Sequence, residues 1–263
     1  MSLKEVLASY NHIELTEDEV NEALIEAKRK KDARLKELGR KLRADEARKQ
    51  LSGGWSYEQT RDYMLYRANS LFEGRFELDE HNSLIFELLC HYFSDSKEFV
   101  SIATGMGVNN PSLDKSILLA GNYGTGKTWM MSLFRKNNKR VYHVVHAKDL
   151  AKAYKKNGEE AIEQYMYKIK NPFNDPNVFY QEYSGLCVED IGAEDPKGNY
   201  GDRPLVVGDI IEGRYINQCL TGWFHGTTNL TSEQLKSYYG ERVTSRLRES
   251  VNLIELGGPD RRK

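Results

Sequence analysis

The chain has 263 residues, with 38 Lys and Arg against 39 Asp and Glu and a formal net charge of −1. That length holds one α/β domain plus a smaller appendage, and a charged content of 29% points to a soluble protein with much helical surface. No apolar run approaches the roughly eighteen residues of a membrane span, and the opening MSLKEVLASYNHIEL lacks the apolar core of a secretory signal. Cys90, Cys187 and Cys219 are far apart, without metal-ligand spacing, and point to packing roles in a reducing, cytoplasmic setting.

Thr16-Glu-Asp-Glu19 is a capping box that opens a helix, continued by apolar residues at Val20, Leu24, Ala27, Leu35, Leu38 and Leu42. Between Lys28 and Lys49 eleven Lys or Arg face four Asp or Glu, a local excess of seven positive charges. Gly53-Gly54 breaks this helix, Ser56-Tyr-Glu-Gln59 caps a second over Tyr57–Phe72, and Asp79 starts a third through Phe93. Gly105–Asp114 reads as a linker. These signals place a helical region at 1–75, a helix and linker at 76–114, and a core domain at 115–263. From Ser116 onward strands and helices alternate. Apolar runs predict strands at Ser116–Ala120, Val141–His146, Gly185–Ile191, Gly222–Thr228 and Val251–Leu256. Helices are expected over Trp129–Lys136, Ala147–Tyr154, Glu159–Ile169, from Asp202 and Pro204 to about Cys219, from Thr231 to near Gly240, and on to about Glu249, with a loop at Asn171–Tyr180. Such alternation implies a mostly parallel sheet with helices on both faces.

The first strand runs into Gly121-Asn122-Tyr123-Gly124-Thr125-Gly126-Lys127-Thr128, the pattern G-x-x-x-x-G-K-[ST]. A strand, a glycine loop and a helix in that order form a phosphate cradle, because the glycines let backbone amides close around phosphate oxygens and the new helix adds its free N–H groups. Lys127 reaches the β- and γ-phosphates of a nucleoside triphosphate, and the Thr128 hydroxyl ligates Mg²⁺. The third strand ends in Val188-Glu189-Asp190-Ile191-Gly192. Two carboxylates at the end of a buried strand are costly unless a cation or donors meet them, which assigns Glu189 to the metal and Asp190 to the attacking water. An ordinary acidic strand end is the alternative. Asn229, ending the fourth strand, is placed to sense the γ-phosphate or the lytic water, or is simply a turn residue before a capped helix. Arg242 and Arg246 lie four apart on one helix face; Arg246 suits a finger that enters a neighbouring subunit's site, and pairing with Glu241 or Glu249 is the competing reading for both.

In order and spacing, GNYGTGKT, VEDIGAE, TTNL and YGERVTSRLRE resemble the DnaC-type replicative helicase loaders and the IstB transposition helpers of the AAA+ class. The resemblance covers about Ser116 to Lys263. It implies an AAA+ P-loop core with a five-stranded parallel sheet in the order 5-1-4-3-2, an ATP site between subunits, Asn229 as the first sensor and Arg246 as the finger. It places Arg214 near a subunit boundary, with Arg242 a further intersubunit candidate. Family members bind single-stranded DNA through helices after the second strand, here Lys148–Lys170. Lys148, Lys152, Lys155 and Lys156, with Lys168 and Lys170, offer phosphate contacts, and Tyr154, Tyr165 and Tyr167 offer stacking; a solvated helix face competes with this reading. The Glu-Asp order departs from the family's Asp-Asp or Asp-Glu and implies slow hydrolysis. Few residues follow Leu256, so little or no C-terminal lid is expected; Arg261 or Arg262 stands in for a lid-borne sensor, or the tail is disordered and basic.

The resemblance therefore implies an ATP- and Mg²⁺-dependent ATPase that self-assembles, binds single-stranded DNA and recruits a hexameric replicative helicase in the cytoplasm of a bacterium, encoded by the host or by a phage, with no membrane partner. By analogy residues 1–75 grip the helicase; binding of nucleic acid by the basic helix is an alternative for them. A transposition helper is the runner-up function. A P-loop small-molecule kinase would leave the SRL arginines unexplained.

Overall fold

A computed structural model of the chain describes residues 16–22, 24–34, 54–171, 181–194 and 205–262. The chain divides into two compact units, Met1–Ser52 and Gly53–Lys263. In the first, residues 17–22 and 24–34 are helical. The expected capping box forms: the Thr16 backbone N–H donates to Glu19 Oε2 at 2.9 Å and the Glu19 N–H donates to Thr16 Oγ1 at 3.4 Å. Val20, Leu24 and Ile25 are exposed on this helix. The basic stretch expected to Lys49 lies outside the described residues beyond position 34, as do residues 172–180 of the expected loop and the helix start expected at Asp202 and Pro204.

The second unit begins with three helices, α1 (Tyr57–Phe72), α2 (Ser83–Phe93) and α3 (Glu98–Gly105). The Ser56–Gln59 capping box opens α1. Asp79 closes the turn before α2 rather than capping the helix itself, accepting from the N–H groups of His81 and Asn82. An alternating core follows: β1 (Ser116–Ala120), α4 (Lys127–Phe134), β2 (Tyr142–His146), α5 (Ala147–Asn157), the single turn α6 (Glu160–Glu163) with a 3₁₀ turn at Gln164–Met166, β3 (Ile169–Lys170), β4 (Tyr183–Ile191), α7 (Val206–Ile216), β5 (Phe224–Thr228), α8 (Ser232–Ser250) and β6 (Val251–Glu255). The helix expected over Glu159–Ile169 stops early, as α6 and the 3₁₀ turn to Met166, because Ile169–Lys170 leaves to pair with β4; Gly158, at φ 68°, separates it from α5. In α8 the break expected at Gly240 is present, at φ 82° and ψ 167°.

The sheet order is β2-β4-β5-β1-β6, all parallel, with β3 added antiparallel against β4. Leaving out β3, which the sequence patterns did not suggest, the parallel strands stand in the order 5-1-4-3-2. Side-chain alternation divides the core in two. Ile117, Leu119 and Cys187 join Met64, Leu89, Phe93, Met131 and Phe134 from α1, α2 and α4. Leu118, Leu186 and Val188 point the other way, to Leu150, Val207, Ile211, Leu235 and Leu247 from α5, α7 and α8. Helices α1 to α3, assigned from sequence to a partner-binding region and linker, thus share one apolar core with the sheet and belong to the same unit. Cys90, Cys187 and Cys219 are all buried free thiols.

One polar residue is built into the middle of this sheet. His225 on β5 is buried, and its Nδ1 accepts the Ile117 backbone N–H of β1 at 3.0 Å. The ring sits 4.9 Å from Tyr142 and within 6.2 Å of Tyr92 and Phe93. Burial, followed by the charges of Arg140, Lys139 and Arg214, pushes its pKa down to about 3. The unfolded chain takes up a proton here near the ordinary histidine value, whereas the folded chain resists until far lower pH, so stability is full above about pH 6.5 and falls as pH drops toward 3. Urea unfolding at pH 7 and pH 4.5 should show a clear loss at the lower pH that is reduced in His225→Gln.

Candidate functional site

The loop between β1 and α4 has the backbone the glycine pattern demands: Gly124 and Gly126 stand at φ 75° and 97°, in the left-handed region that side chains avoid. Lys127, the first residue of α4, is buried and folds back over the loop. Its Nζ donates to Gly121 O at 2.8 Å, Asn122 O at 2.7 Å and Asn229 Oδ1 at 2.7 Å. Thr125 Oγ1 donates to Asn122 O at 3.0 Å. Tyr123 and Thr128 are exposed, Thr128 next to Lys127 in the first turn of α4. Burial lowers the pKa of Lys127, and the neighbouring Asp190 charge works against that shift.

Strand β4 lies two places from β1, and its last residues depart from regular pleating. Asp190 adopts φ 52° and the register with β5 shifts between Val188 and Ile191. A left-handed aspartate within a strand costs on the order of 1–3 kcal/mol and persists only where its surroundings hold it. Here they do. The Asp190 N–H donates to Thr227 Oγ1 at 3.0 Å, Oδ2 lies 3.1 Å from His146 Nε2, and Oδ1 lies 3.4 Å from Asn229 Nδ2. His146 Nδ1 accepts the Lys148 N–H at 3.1 Å, capping α5, so Nε2 carries the proton and donates to Asp190. Glu189, two residues after Cys187, shares its side of the strand and lies near Ser132 of α4. Glu189 Oε1 is buried and has no hydrogen-bond partner. Burial, then the Asp190 charge, push the Glu189 pKa up to about 7, with the Ser132 hydroxyl opposing.

Lys127, Asn229, Asp190 and His146 therefore form a continuous polar string across the carboxyl ends of β1, β5, β4 and β2. This is the place where open parallel α/β sheets gather their ligands. The fold is a parallel α/β sheet in the order β2-β4-β5-β1-β6 with the glycine-rich loop between β1 and α4, the arrangement the resemblance implied. His146 and Thr227 were not singled out from sequence; the usable signal for His146 was its place at the end of the strand beside the acidic one. A cavity of about 510 Å³ lined by Leu118, Leu235, Leu247 and Leu253 shares no residue with this cluster.

The remaining sequence candidates fall elsewhere. Arg246 is mostly covered, with Nη1 3.1 Å from Glu212 Oε1 and the guanidinium 4.5 Å above the Tyr215 ring. Arg242 is exposed and shares the same Glu212 oxygen at 3.1 Å. Glu212 on α7, rather than Glu241 or Glu249, is the partner of both. Arg214 does not face a boundary. It is completely buried, and it donates to the carbonyls of Cys219, Tyr165, Tyr167 and Trp223 at 2.7–3.1 Å. Four of the five N–H donors of the guanidinium go to backbone acceptors, and the group does not reach the surface where a neighbour would meet it. Lys148, Lys152, Lys155 and Lys156 are all exposed on α5, with Lys152 3.2 Å from Asp149. Of the tyrosines considered with them, Tyr167 is exposed, whereas Tyr154 and Tyr165 pack against the apolar core. Lys168 lies 4.5 Å above the Trp223 ring. Arg261 lies against the loop and the turn before α2, and the Arg262 N–H donates to Asp260 Oδ1, in contrast to the disordered tail that was one of the expectations.

No family model and no curated protein matches the chain. Among solved structures, it is similar to a DnaC helicase loader at 20% identity and a TM-score of 0.38, covering 62% of this chain and 90% of that one. It is similar to DnaI at 17% identity and a TM-score of 0.42, covering 69% and 88%. With AMPPCP-bound DnaA from Aquifex aeolicus the values are 17% and 0.42, over 69% of this chain and 48% of that one. Among the described residues no helix is long and apolar enough to cross a membrane.

Proposed function

We propose that the chain is an ATPase of the helicase-loader kind, in which ATP binding assembles copies of the chain and engages a replicative helicase and single-stranded DNA. The observation that carries the nucleotide part is the polar string from Lys127 to Asp190, anchored on a glycine loop at the end of β1. In this reading the ammonium of Lys127 exchanges its loop carbonyls for phosphate oxygens, and the amides of residues 121–128 surround them. Asn229, already bonded to Lys127 and Asp190, reports the far phosphate to the acid. Asp190, bent out of the strand and held by His146 and Thr227, takes the proton of the attacking water.

The residues also fit a magnesium ion. Among the described residues there is no cluster of three His, Cys, Asp or Glu, and Mg²⁺ bound with nucleotide commonly takes only one or two protein oxygens beside phosphates and waters. The exposed Thr128 hydroxyl and the orphaned Glu189 Oε1 would supply those oxygens, and a cation there would draw the Glu189 pKa back down. When bound, it would neutralise charge on the transferring phosphoryl group.

Arg246 serves as the finger only after release from Glu212, so assembly would exchange an internal ion pair for a contact with a neighbour's nucleotide. Arg242, exposed beside it, would join that contact. The lysines on the solvent-facing side of α5 are the proposed DNA contact, and residues 1–75 the proposed helicase contact.

Affinity capture with the full chain as bait, in ATP and in ADP, tests the reading. Retention of a hexameric helicase that depends on ATP is the expected result. Retention of a transposase in its place would move the function to a transposition helper, and capture that ignores the nucleotide would remove the switch.

A further inference from the structure

The stretch after β6 crosses the phosphate loop and touches it along its length. The Leu256 N–H donates to Ala120 O at 2.7 Å, extending the β1–β6 pairing by one bond. A Cβ placed on Gly121 would stand 2.1 Å from Leu256 O, and one on Gly124 would stand 1.7 Å from Asp260 Oδ1. The Arg261 N–H donates to Gly124 O at 3.0 Å, and the Arg261 Cδ lies 3.7 Å from where a Cβ of Gly126 would be. The glycines of the loop are thus needed twice, for their backbone angles and for the close approach of this second segment.

The far side of the segment is fastened as well. Arg261 Nη2 lies 2.9 Å from Asp79 Oδ1 and 2.7 Å from Oδ2. Asp79 is itself fixed in the turn before α2 by the His81 and Asn82 N–H groups. A Cβ on Gly258 would be 3.0 Å from the Cβ of His81, so the strap lies directly on that turn. Asp260 spends one oxygen on the Arg262 N–H at 2.9 Å. The charge of Arg262 is felt at Lys127, where it acts with burial to lower the ammonium's pKa.

We propose that residues 256–262 form a working strap of the nucleotide site, in which Arg261, latched to Asp79, holds the glycine loop in its binding shape. The proposal rests on the reading of the loop as a triphosphate site. Its physical basis is preorganisation. A loop with several glycines loses much conformational freedom on closing around a ligand, and a strap that has already restricted it removes part of that cost from binding. Arg261 and Asp79 are positioning residues, acting through the loop.

The test titrates the full chain with a fluorescent N-methylanthraniloyl ATP and records thermal melting without nucleotide. Arg261→Ala and Asp79→Asn, the latter keeping an oxygen for the turn, should each weaken binding about tenfold, which is about 1.4 kcal/mol. The double variant should be no weaker than either single one, because the two residues make one latch. Arg261→Lys should recover most of the affinity, and the melting temperature should stay near that of the parent throughout. Unchanged affinity in Arg261→Ala, additive losses, or losses matched by equal drops in melting temperature would overturn the strap. If the folded parent chain itself fails to bind the probe, the triphosphate reading falls and the strap with it; a parent that binds and an Arg261→Ala that binds equally well sink the strap alone.

Discussion

Lys127→Ala should abolish nucleotide binding, lowering affinity by about 100-fold or more, since charge-assisted hydrogen bonds to phosphate are worth about 1.5–3 kcal/mol each. The structure adds a second effect. The Lys127 ammonium ties together Gly121 O, Asn122 O and Asn229 Oδ1, so its removal also unfastens the loop from the end of β5. The variant should therefore melt earlier than the parent even without nucleotide. Asn229→Ala separates the two effects, because it deletes one acceptor and keeps the ammonium. It should bind nucleotide with a modest loss and hydrolyse it poorly, since Asp190 loses one of its partners. Tight binding of ATP by Lys127→Ala, measured by calorimetry, would remove the site from this loop altogether.

Arg214→Ala should be the most destabilising single change in the core unit, by about 3–5 kcal/mol in urea unfolding. Burial pulls the Arg214 pKa down to about 10, yet the group stays protonated at neutral pH. Among the described residues this buried charge has no carboxylate partner and is offset by the carbonyls of Tyr165, Tyr167, Cys219 and Trp223. Truncation leaves those oxygens buried and without their donor. Arg214→Lys should rescue little, because three donors on one nitrogen cannot reproduce a planar fork. The residues it binds are the 3₁₀ turn before β3 and the entrance of β5, so partial unfolding should begin there. Proteolysis within 164–170 would report it. A loss under about 1 kcal/mol would show that water replaces the guanidinium.

The glycine loop, the acidic strand end and Asn229 were legible because each is a local pattern, and the sheet then brings them together at one edge. The strand order followed from the resemblance carried by these motifs. What sequence did not reveal are the contacts whose partners are distant in the chain. His146 is 44 residues from Asp190 and Arg261 is 182 from Asp79, and no periodicity links such pairs. Arg214 was misplaced for a related reason. In sequence it is a charged residue on a helix, which usually means a surface, and its burial depends on a turn 47 to 49 residues earlier folding over it. The helices of 57–105 were set apart from the core because no local pattern links their apolar faces to a sheet that begins at Ser116. They pack on one another and, together, on α4 and the sheet.

The loop that follows Asp190 is fastened to the first half of α8. Glu194 is buried and accepts from the Tyr239 hydroxyl at 2.5 Å, and that same hydroxyl accepts the Gly192 N–H at 2.8 Å. Tyr239 is the last residue before the break at Gly240. The half of α8 beyond it answers to α7, through the Glu212 carboxylate that receives both Arg242 and Arg246. The nineteen residues of α8 are therefore two helical pieces set at an angle by Gly240. The first is tied to the acidic loop and the second to Glu212, so the break, and not the residue count alone, sets the distance between Asn229 and Arg246.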